Sequence, residues 1–432
     1  MARARRVPFS TLSPAALALA LVLAGPARAA DGDQDLSSTI AAALAHGPDL
    51  AEAEAESRAA GARLDGARAE SMPKVSIAGE VGEGRINNGG FFGFTAQNVT
   101  PMAVTAGAEM PIYAGGRVAA AISQARGARD IAKFALADAR SRTVVAAVGA
   151  YAEVLTARRI EARWQQTSEE LAEVERQAGL RFKAGEIAQS DLSTARARRA
   201  EGEAGLAAAQ GRRAAAEAQY HRMTGQRPGA LAPLPPLPHT PPTLDEAVDG
   251  AHRQNPALAE AEHGIDVARA AVRGARAESL PVIGTYAEAS RTRDQFFPGY
   301  RADVVSVGLR GRWTLFAGGR TAAKIHEADA GLDASEARAR DAREAIDTAV
   351  IDAWSALHTA SAMVAAGHAR AAAAAEALRS TRLEAQVAEK PTLAVLDAER
   401  EATGADAAAI EAEGQQLLAA WQLNALAGEI EN

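Results

Sequence analysis

The feature that most constrains this chain is an internal repeat. Residues 66–73 (GARAESMP) return as residues 274–281 (GARAESLP), with one conservative change. A second phrase follows each copy, first at residues 113–117 (YAGGR) and again at residues 316–320 (FAGGR). Each copy of a sequence repeat adopts the same supersecondary unit, so the repeat predicts the overall architecture independently of local secondary-structure patterns. The chain is therefore predicted to contain two copies of one structural unit.

Between the two phrases of each copy, the sequence alternates with the two-residue period of a β-strand that has one apolar face. The apolar positions are Val75, Ile77, Gly79 and Val81, then Val104, Ala106, Ala108, Met110 and Ile112, and in the second copy Val305, Val307, Leu309, Gly311, Trp313 and Leu315. Each strand has about ten residues, the length that crosses a bilayer in a barrel. An open hairpin would leave backbone groups unpaired in lipid. Four strands cannot close a barrel, so closure requires several copies of the chain.

The regions outside the phrases are alanine-rich and helical in pattern. No proline occurs from Arg117 to Leu180, which predicts a helix of roughly 95 Å at about 1.5 Å per residue. A break at residues 183–185 and a return helix to about Met223 follow, and the second copy repeats this plan with a break at residues 390–391. Aromatic residues make up only 4% of the chain, so closely packed long helices are favoured over one large compact core.

The chain is predicted to divide into four parts. Residues 1–30 combine a basic start, an apolar run and a small-x-small motif, which is typical of a secretory signal peptide. The first repeat is predicted to occupy residues 31–225 and the second repeat residues 244–432. Residues 226–243 contain seven prolines and are predicted to form an extended linker that is not a packed element.

Composition excludes several functions. The formal net charge is −7, and it is more negative without the arginines of the predicted signal peptide, which argues against nucleic acid as a partner. The chain has no cysteine, so disulfides, thiolate catalysis and cysteine metal sites are excluded. No stretch after the predicted signal peptide has about 18 consecutive apolar residues, so no transmembrane helix is predicted.

No catalytic or metal-binding motif is found. The eight histidines include no pair with the i, i+4 spacing of a helical metal site, and solvated helix positions are the favoured interpretation. We therefore expect no enzyme activity and no cofactor. The two AGGR phrases could form an anion nest at a helix start, but their place between strand and helix favours a structural turn in which glycine allows the bend.

The breaks in the long helices are candidate functional sites, because both lie at the end far from the strands. The first break contains Phe182 and Gly185, with Asp191 just beyond it, and the second is followed by Val395 and Asp397. A partner protein would meet these residues, or they would close an opening.

Asp397 has two interpretations. It could be an exposed helix carboxylate that pairs with Arg400 at i+3. It could also belong to a ring of carboxylates, one from each subunit, that selects or repels ions at a narrow mouth.

Arg310 and Arg312 also have two interpretations. They share the polar face of the last predicted strand, where they could face a barrel lumen and favour anions. They could equally form salt bridges across the strands with Glu80 or Glu109.

Together these residues resemble the TolC family of outer-membrane efflux and secretion channels. The doubled helix-to-strand junction and the doubled strand-to-helix turn carry the resemblance, with residues 181–185 (RFKAG), 255–258 (NPAL) and 395–398 (VLDA). The resemblance covers essentially the whole mature chain. It implies a mainly α fold with transmembrane β-strands: a trimer forms a twelve-stranded β-barrel in the outer membrane and a periplasmic α-helical tunnel of long coiled-coil hairpins.

The resemblance also implies a function and partners. The chain would be the passive exit duct of a tripartite efflux pump or type I secretion system, set in outer-membrane lipid. The homotrimer would bind a periplasmic adaptor (membrane fusion) protein and an inner-membrane pump of the RND or ABC type. Phe182, Gly185, Asp191 and Val395 would lie at the tips that dock the adaptor.

The second tip departs from the family pattern. Ala385 and Ala388 stand where an aromatic residue and a glycine are usual, and Ala394 replaces the first of two aspartates near the mouth. Lys390 stands where a basic latch residue is expected, so the predicted pore aperture consists of Asp397 and Lys390. We expect cation block at this mouth to be weaker than in relatives with two acidic rings.

Two other classes of function are compatible with parts of the sequence. A periplasmic coiled-coil adaptor or scaffold of an export complex would also have helical hairpins, but it does not need two pairs of alternating strands between helices. A secreted hydrolase with a helical domain would need a nucleophile and a base in a recognisable motif. The export duct is therefore the favoured prediction.

Overall fold

The computed structural model describes residues 34–87, 96–387 and 389–429. The predicted signal peptide and Ala388 lie outside the described residues. The helices are α1 (Leu36–His46), α2 (Pro48–Ala69), α3 (Arg117–Lys183), α4 (Gln189–Thr224), α5 (Leu244–Gln254), α6 (Pro256–Ala277), α7 (Arg320–Gln386) and α8 (Thr392–Ala427). The strands are β1 (Lys74–Val81), β2 (Gly84–Ile86), β3 (Gln97–Val99), β4 (Met102–Tyr113), β5 (Val282–Arg293) and β6 (Arg301–Arg312).

The two halves repeat each other helix by helix. Helices α1 and α5 have 11 residues each, α2 and α6 have 22, α3 and α7 have 67, and α4 and α8 have 36. Helices α4 and α8 both end at a left-handed glycine, Gly225 or Gly428. The elements thus have the same order and lengths in both halves, with a break between the two long helices of each half.

The four long strands form one antiparallel sheet in the order β1–β4–β5–β6. The two hairpins have the same register: Lys74 lies opposite Glu109, and the equivalent residues Val282 and Arg312 lie opposite each other. The pairing of β4 with β5 joins the two halves. A short ribbon of β2 and β3, which the sequence pattern did not predict, lies beyond the first hairpin. Within the described residues, β1 and β6 are the edge strands of this sheet, and each pairs with a neighbouring strand on one side only.

One face of this sheet is apolar and the other is polar. Ile77, Ala106, Ala289 and Val305 lie side by side in one row across all four strands. The outer members of that row, Ile77 and Val305, are 77% and 81% exposed. The adjacent row on the other face is Ser76, Gly107, Glu288 and Ser306. A contiguous exposed apolar face of this kind marks a surface for lipid or protein.

Four of the helices lie side by side in the same order as the strands to which they connect. Helix α3 packs between α2 and α6, and α6 packs between α3 and α7. Because α2 leads into β1, α3 follows β4, α6 leads into β5 and α7 follows β6, helices and strands form one continuous wall. One edge of the wall consists of α2 and β1, and the other of α7 and β6. None of the helices in the described part of the chain is both long and apolar enough to cross a membrane.

Asn255 links the end of α8 to the start of α6. Its side-chain Nδ2 donates to the carbonyl oxygen of Leu426 near the end of α8, at 3.0 Å. Its Oδ1 accepts from the backbone N–H groups of Ala257 and Leu258, and so caps the start of α6. Free groups at two helix ends are thereby satisfied by one buried side chain.

The linker between the halves is extended, as predicted, but the prediction that it is not packed is wrong. Leu231 and Leu234 contact the core formed around Tyr151. The hydroxyl of Tyr151 donates to the carbonyl of Ala232 at 2.5 Å, and Arg158 donates to the carbonyl of Gly229 at 2.7 Å. An extended segment has no ladder of its own, so side chains of α3 satisfy its backbone groups.

The first AGGR phrase forms the predicted turn between strand and helix. Gly115 and Gly116 both have positive φ, 60° and 86°, a region that glycine enters without steric cost. A Cβ at Gly115 would lie 2.6 Å from the Cβ of Leu280, whereas nothing stands within 4 Å of a Cβ at Gly116. The turn of the first half therefore packs closely on the α6–β5 junction of the second half.

This difference between neighbouring glycines gives a stability prediction. Gly115→Ala and Gly116→Ala should both lose about 1–2 kcal/mol through left-handed strain, and Gly115→Ala should lose about 1–3 kcal/mol more through overpacking against Leu280. Thermal unfolding followed by the helical circular dichroism signal measures both. Equal losses in the two variants would contradict the close contact at Leu280.

Candidate functional site

The first hairpin tip lies between α3 and α4. Gly185 has φ of 75°, and its N–H donates to the carbonyl of Phe182 at 3.0 Å. Phe182 remains 37% exposed. Asp191 is exposed in the first turn of α4, where a carboxylate is favoured by the helix dipole. The structure thus brings Phe182, Gly185 and Asp191 together at one end of the molecule.

The second tip lies between α7 and α8. Lys390 Nζ lies 3.1 Å from Glu384 Oε2, so this cation pairs with the end of α7. Val395 is half-buried in the first turn of α8, beside the buried Leu396. Leu383 and Val387 are exposed apolar side chains at this tip, as Phe182 is at the other.

Asp397 is paired with the other hairpin. Its carboxylate accepts a hydrogen bond from Arg198 of α4 at 3.0 Å, and the side chain remains 50% exposed. The expectation that Asp397 pairs with Arg400 on its own helix is therefore corrected: the guanidinium comes from across the groove between the hairpins. No local sequence pattern indicates this pair, because the two residues are far apart in the chain.

A second inter-hairpin cluster lies deeper, and sequence reasoning missed it. Glu399 of α8 is nearly fully buried, with a side chain that is 4% exposed. Its carboxylate is 2.5 Å from Arg382 Nη2 of α7 and 3.5 Å from Arg163 Nη2 of α3. The same nitrogen of Arg382 also bonds Glu170 of α3. Three helices are therefore held by two guanidinium groups and two carboxylates.

Burial determines the charge state of this cluster. Burial, and then the nearby Glu170 carboxyl, raise the pKa of Glu399 above its ordinary value. Arg382 opposes that shift. Next to the cluster, the hydroxyls of Thr167 and Thr403 are 2.8 Å apart and buried, which satisfies two polar groups that would otherwise be costly.

The inter-hairpin ion pairs continue along the long helices. Arg159 bonds Glu413, and Arg212 bonds both Glu153 and Glu411. The pairs with Glu413 and Glu411 connect α3 or α4 with α8, whereas the pair with Glu153 links α4 to α3 within the first hairpin. Polar contacts therefore bind the two hairpins together along the long helices.

At the other end of the molecule, Arg310 and Arg312 lie on the polar face of β6. Arg310 Nη1 is 2.9 Å from Glu109 Oε1, and its guanidinium lies over the ring of Tyr286, 4.6 Å from the centroid. Of the two interpretations of Arg310, the cross-strand salt bridge is the one observed. Arg310 and Arg312 both line a cavity of about 510 Å³ where the sheet meets the helices.

Within the described ranges, no group of three or more histidine, aspartate or glutamate side chains is placed to hold a metal ion. The polar clusters that do exist combine carboxylates with arginines. Such clusters fix the relative positions of helices and line surfaces.

Comparisons with known proteins agree with this architecture. The family model described as "Outer membrane efflux protein" matches residues 39–226 and 247–429. Protein BepC of Brucella suis, named an outer membrane efflux protein, is 28% identical over 283 residues, which cover 65% of this chain and 62% of BepC. Protein CyaE of Bordetella pertussis is 29% identical over 339 residues, which cover 75% of this chain and 69% of CyaE.

Solved structures show the same fold. The outer membrane channel CmeC of Campylobacter jejuni superposes with a TM-score of 0.81 at 13% identity, over 92% of this chain and 87% of CmeC. The outer membrane protein VceC of Vibrio cholerae superposes with a TM-score of 0.77 at 19% identity, over 91% and 96%. The fold is that of a TolC-like outer-membrane channel subunit, with an α-helical tunnel part and a β part.

The chain belongs to the outer membrane efflux protein family. The predicted resemblance, the fold class and the outer-membrane location are confirmed. The family is one of transport proteins.

The buried cluster around Glu399 gives a stability prediction. Arg382→Met leaves Glu399 and Glu170 without their shared guanidinium. We expect a loss of about 2 kcal/mol, less than for a fully buried pair because Arg382 is itself partly solvated. The loss should shrink as the pH falls from 8 to 5, because Glu399 has a raised pKa and can become neutral by binding a proton.

The matched control is Arg379→Met. Arg379 is also on α7, but it forms an exposed pair with Glu376 one turn away. Arg379→Met should therefore lose no more than about 1 kcal/mol of unfolding free energy, and protonation of Glu399 should not change that loss. Chemical denaturation followed by circular dichroism at both pH values measures the two variants. A pH-independent loss in Arg382→Met would contradict the role given to Glu399.

Proposed function

We propose that three copies of this chain form a passive exit duct in the outer membrane, which receives substrates from a periplasmic adaptor and an inner-membrane pump. The observation that carries the proposal is the four-stranded sheet with one exposed apolar face and two edges without partners. Unpaired strand edges are not tolerated in lipid, so the sheet must close on copies of itself. Three chains supply the twelve strands of a barrel, and the apolar face contacts the outer-membrane lipid.

The internal joint between β4 and β5 offers a template for the joint between subunits. Ala106 lies opposite Ala289 in the internal joint. In the repeat, Leu309 holds the position of Ala106, and Val81 holds that of Ala289. If β6 meets β1 of the next copy as β4 meets β5, Leu309 lies opposite Val81 of the partner subunit. Both side chains are on the apolar face, as this register requires.

The helix junctions support the same joint. Gly115 packs on Leu280 inside the chain, and the equivalent residues in the repeat are Gly318 and Met72. In the described part of the chain, nothing stands within 4 Å of a Cβ at Gly318, and Met72 is 59% exposed. A second copy would bring its Met72 onto Gly318 and bury both.

The far ends of the hairpins are proposed as the docking surface for the adaptor. Phe182, Gly185, Asp191 and Val395 lie at these tips, where exposed apolar side chains are available for a partner. Asp397 and Lys390 are proposed to line the pore aperture. Because Arg198 already binds Asp397, the carboxylate ring at the aperture is largely neutralised.

Conductance tests the duct and the aperture together. The purified protein should form channels in planar bilayers, and Arg198→Gln should lower the concentration of Co²⁺ that gives half-block by about tenfold, because it frees the Asp397 carboxylates. The double variant Arg198→Gln/Asp397→Asn should return to the wild-type value. A wild-type protein without channel activity would contradict the duct, and an unchanged block in Arg198→Gln would remove Asp397 from the aperture.

Cysteine cross-linking tests the trimer and its register. The chain has no cysteine, so Val81→Cys/Leu309→Cys adds the only two thiols. Under mild oxidation in outer membranes, we expect disulfide-linked dimers and trimers on non-reducing gels, because directly opposite strand residues are within disulfide reach. The control Ile77→Cys/Leu309→Cys shifts one thiol by four residues and should not cross-link. Equal amounts of cross-linked dimer and trimer from both cysteine pairs, or none from Val81→Cys/Leu309→Cys, would contradict the proposed pairing of β6 with β1 of the next subunit.

A further inference from the structure

The polar face of the sheet contains a cavity that the duct function does not by itself explain. It has a volume of about 510 Å³ and lies where the end of α2, the start of α3, the end of α6 and the four long strands meet. Its lining includes four cationic side chains: Lys74, Arg117, Arg310 and Arg312. These come from three elements, β1, α3 and β6, which belong to both halves, so the cavity is formed only by the folded chain.

Three acidic residues line the same cavity, and two of them are engaged. Glu109 bonds Arg310 at 2.9 Å. Glu278 bonds Lys324, which lies outside the lining, at 2.6 Å. The third, Glu70, follows the end of α2 and has no ion pair within the described residues.

Three of the four cations have no carboxylate partner among the described residues. No ion pair within 4.0 Å is formed by Lys74, Arg117 or Arg312 in the part of the chain that the structure describes. Against these three positive charges stands the single unpaired carboxylate of Glu70. The cavity therefore has an excess of positive charge, although the chain as a whole has a net charge of −7.

The geometry adds to this charge. Arg117 and Val118, the first two residues of α3, line the cavity, so the start of this helix is next to the site, and a helix start favours an anion. Guanidinium groups bind phosphate and carboxylate groups in a bidentate manner. Because the cavity is on the polar face, opposite to the apolar face, its ligand comes from solution and not from lipid.

The proposed pairing of β6 with β1 of the next subunit does not remove the excess of positive charge in the cavity. It would put Arg310 opposite Glu80 of the partner subunit, so that Arg310 is shared by two carboxylates. The other three cations remain available. In a closed ring, three such cavities would lie around one lumen, where like charges at a low-dielectric wall concentrate ions of opposite sign.

We propose that this cavity is a binding site for multiply charged anions, with phosphate or carboxylate groups, at the base of the barrel. The proposal rests on the proposed duct function and specifies a substrate class that the duct favours. An anion leaving the helical tunnel would bind Lys74, Arg117 and Arg312 before it enters the barrel. The site would raise the local concentration of anionic solutes at the point where the pore passes from helices to strands.

Block of single channels by inorganic pyrophosphate tests the site. Pyrophosphate is added to the barrel side of channels in bilayers of zwitterionic lipid, so that no lipid anion contributes. In the wild type we expect a concentration-dependent decrease in current that weakens as KCl is raised, because exposed charges are screened. In Lys74→Gln/Arg312→Gln, the half-blocking concentration should rise at least fivefold.

The matched control is Arg293→Gln/Arg301→Gln. These two arginines lie opposite each other at the other end of the sheet, on the opposite face, so the control removes the same charge away from the cavity. Its half-blocking concentration should stay within twofold of the wild type. A conducting channel that pyrophosphate does not block, or that both double variants affect equally, overturns the anion site alone. A protein that does not conduct overturns the duct.

Discussion

The hydrogen-bonding groups at the two edges of the sheet are the constraint on which the rest of this molecule depends. Among the residues that the structure describes, strands β1 and β6 each pair on one side only, and the apolar faces of both hairpins are exposed. A sheet of this kind is stable in a membrane only when its edges meet other edges. The long helices inherit this requirement, because each of the four wall helices is continuous with one strand through a short junction. The arrangement of strands therefore also fixes the order of helices in the tunnel wall.

The two ends of the molecule are stabilised by different physical means. The β part has aliphatic side chains on one face and a mixed polar surface on the other, so in the proposed trimer its stability depends on lipid and on neighbouring copies. The helical hairpins have small, alanine-rich contacts and depend on polar links such as Glu399 with Arg382 and Asp397 with Arg198. Alanine contacts bury little area for each residue. Ion pairs between hairpins therefore contribute much of the specificity with which one hairpin is placed on the other.

Much of the fold could be predicted from the sequence, because duplication and periodicity are local signals. The repeated phrases located the four helix–strand junctions, and alternation identified three of the four long strands, β1, β4 and β6; the repeat itself implied the fourth. Contacts between residues distant in the chain could not be predicted in this way. Arg198 and Asp397 are on different hairpins, and no local sequence pattern distinguishes the buried Glu399 from an exposed helix glutamate. The linker was misjudged for the same reason: seven prolines indicate extended backbone, but they do not reveal the side chains of α3 that hold it. The tip residues could be located from the breaks, although their roles at an aperture remain a proposal.

The equal lengths of corresponding helices have a consequence for how such a molecule can change in size. Helices α3 and α7 have 67 residues each, and α4 and α8 have 36 each. The two hairpins are therefore matched in length, helix for helix. Removing a turn from a single helix would tilt its hairpin and put every ion pair beyond that point out of register. A change in the length of the helical part therefore requires coordinated changes in all four helices.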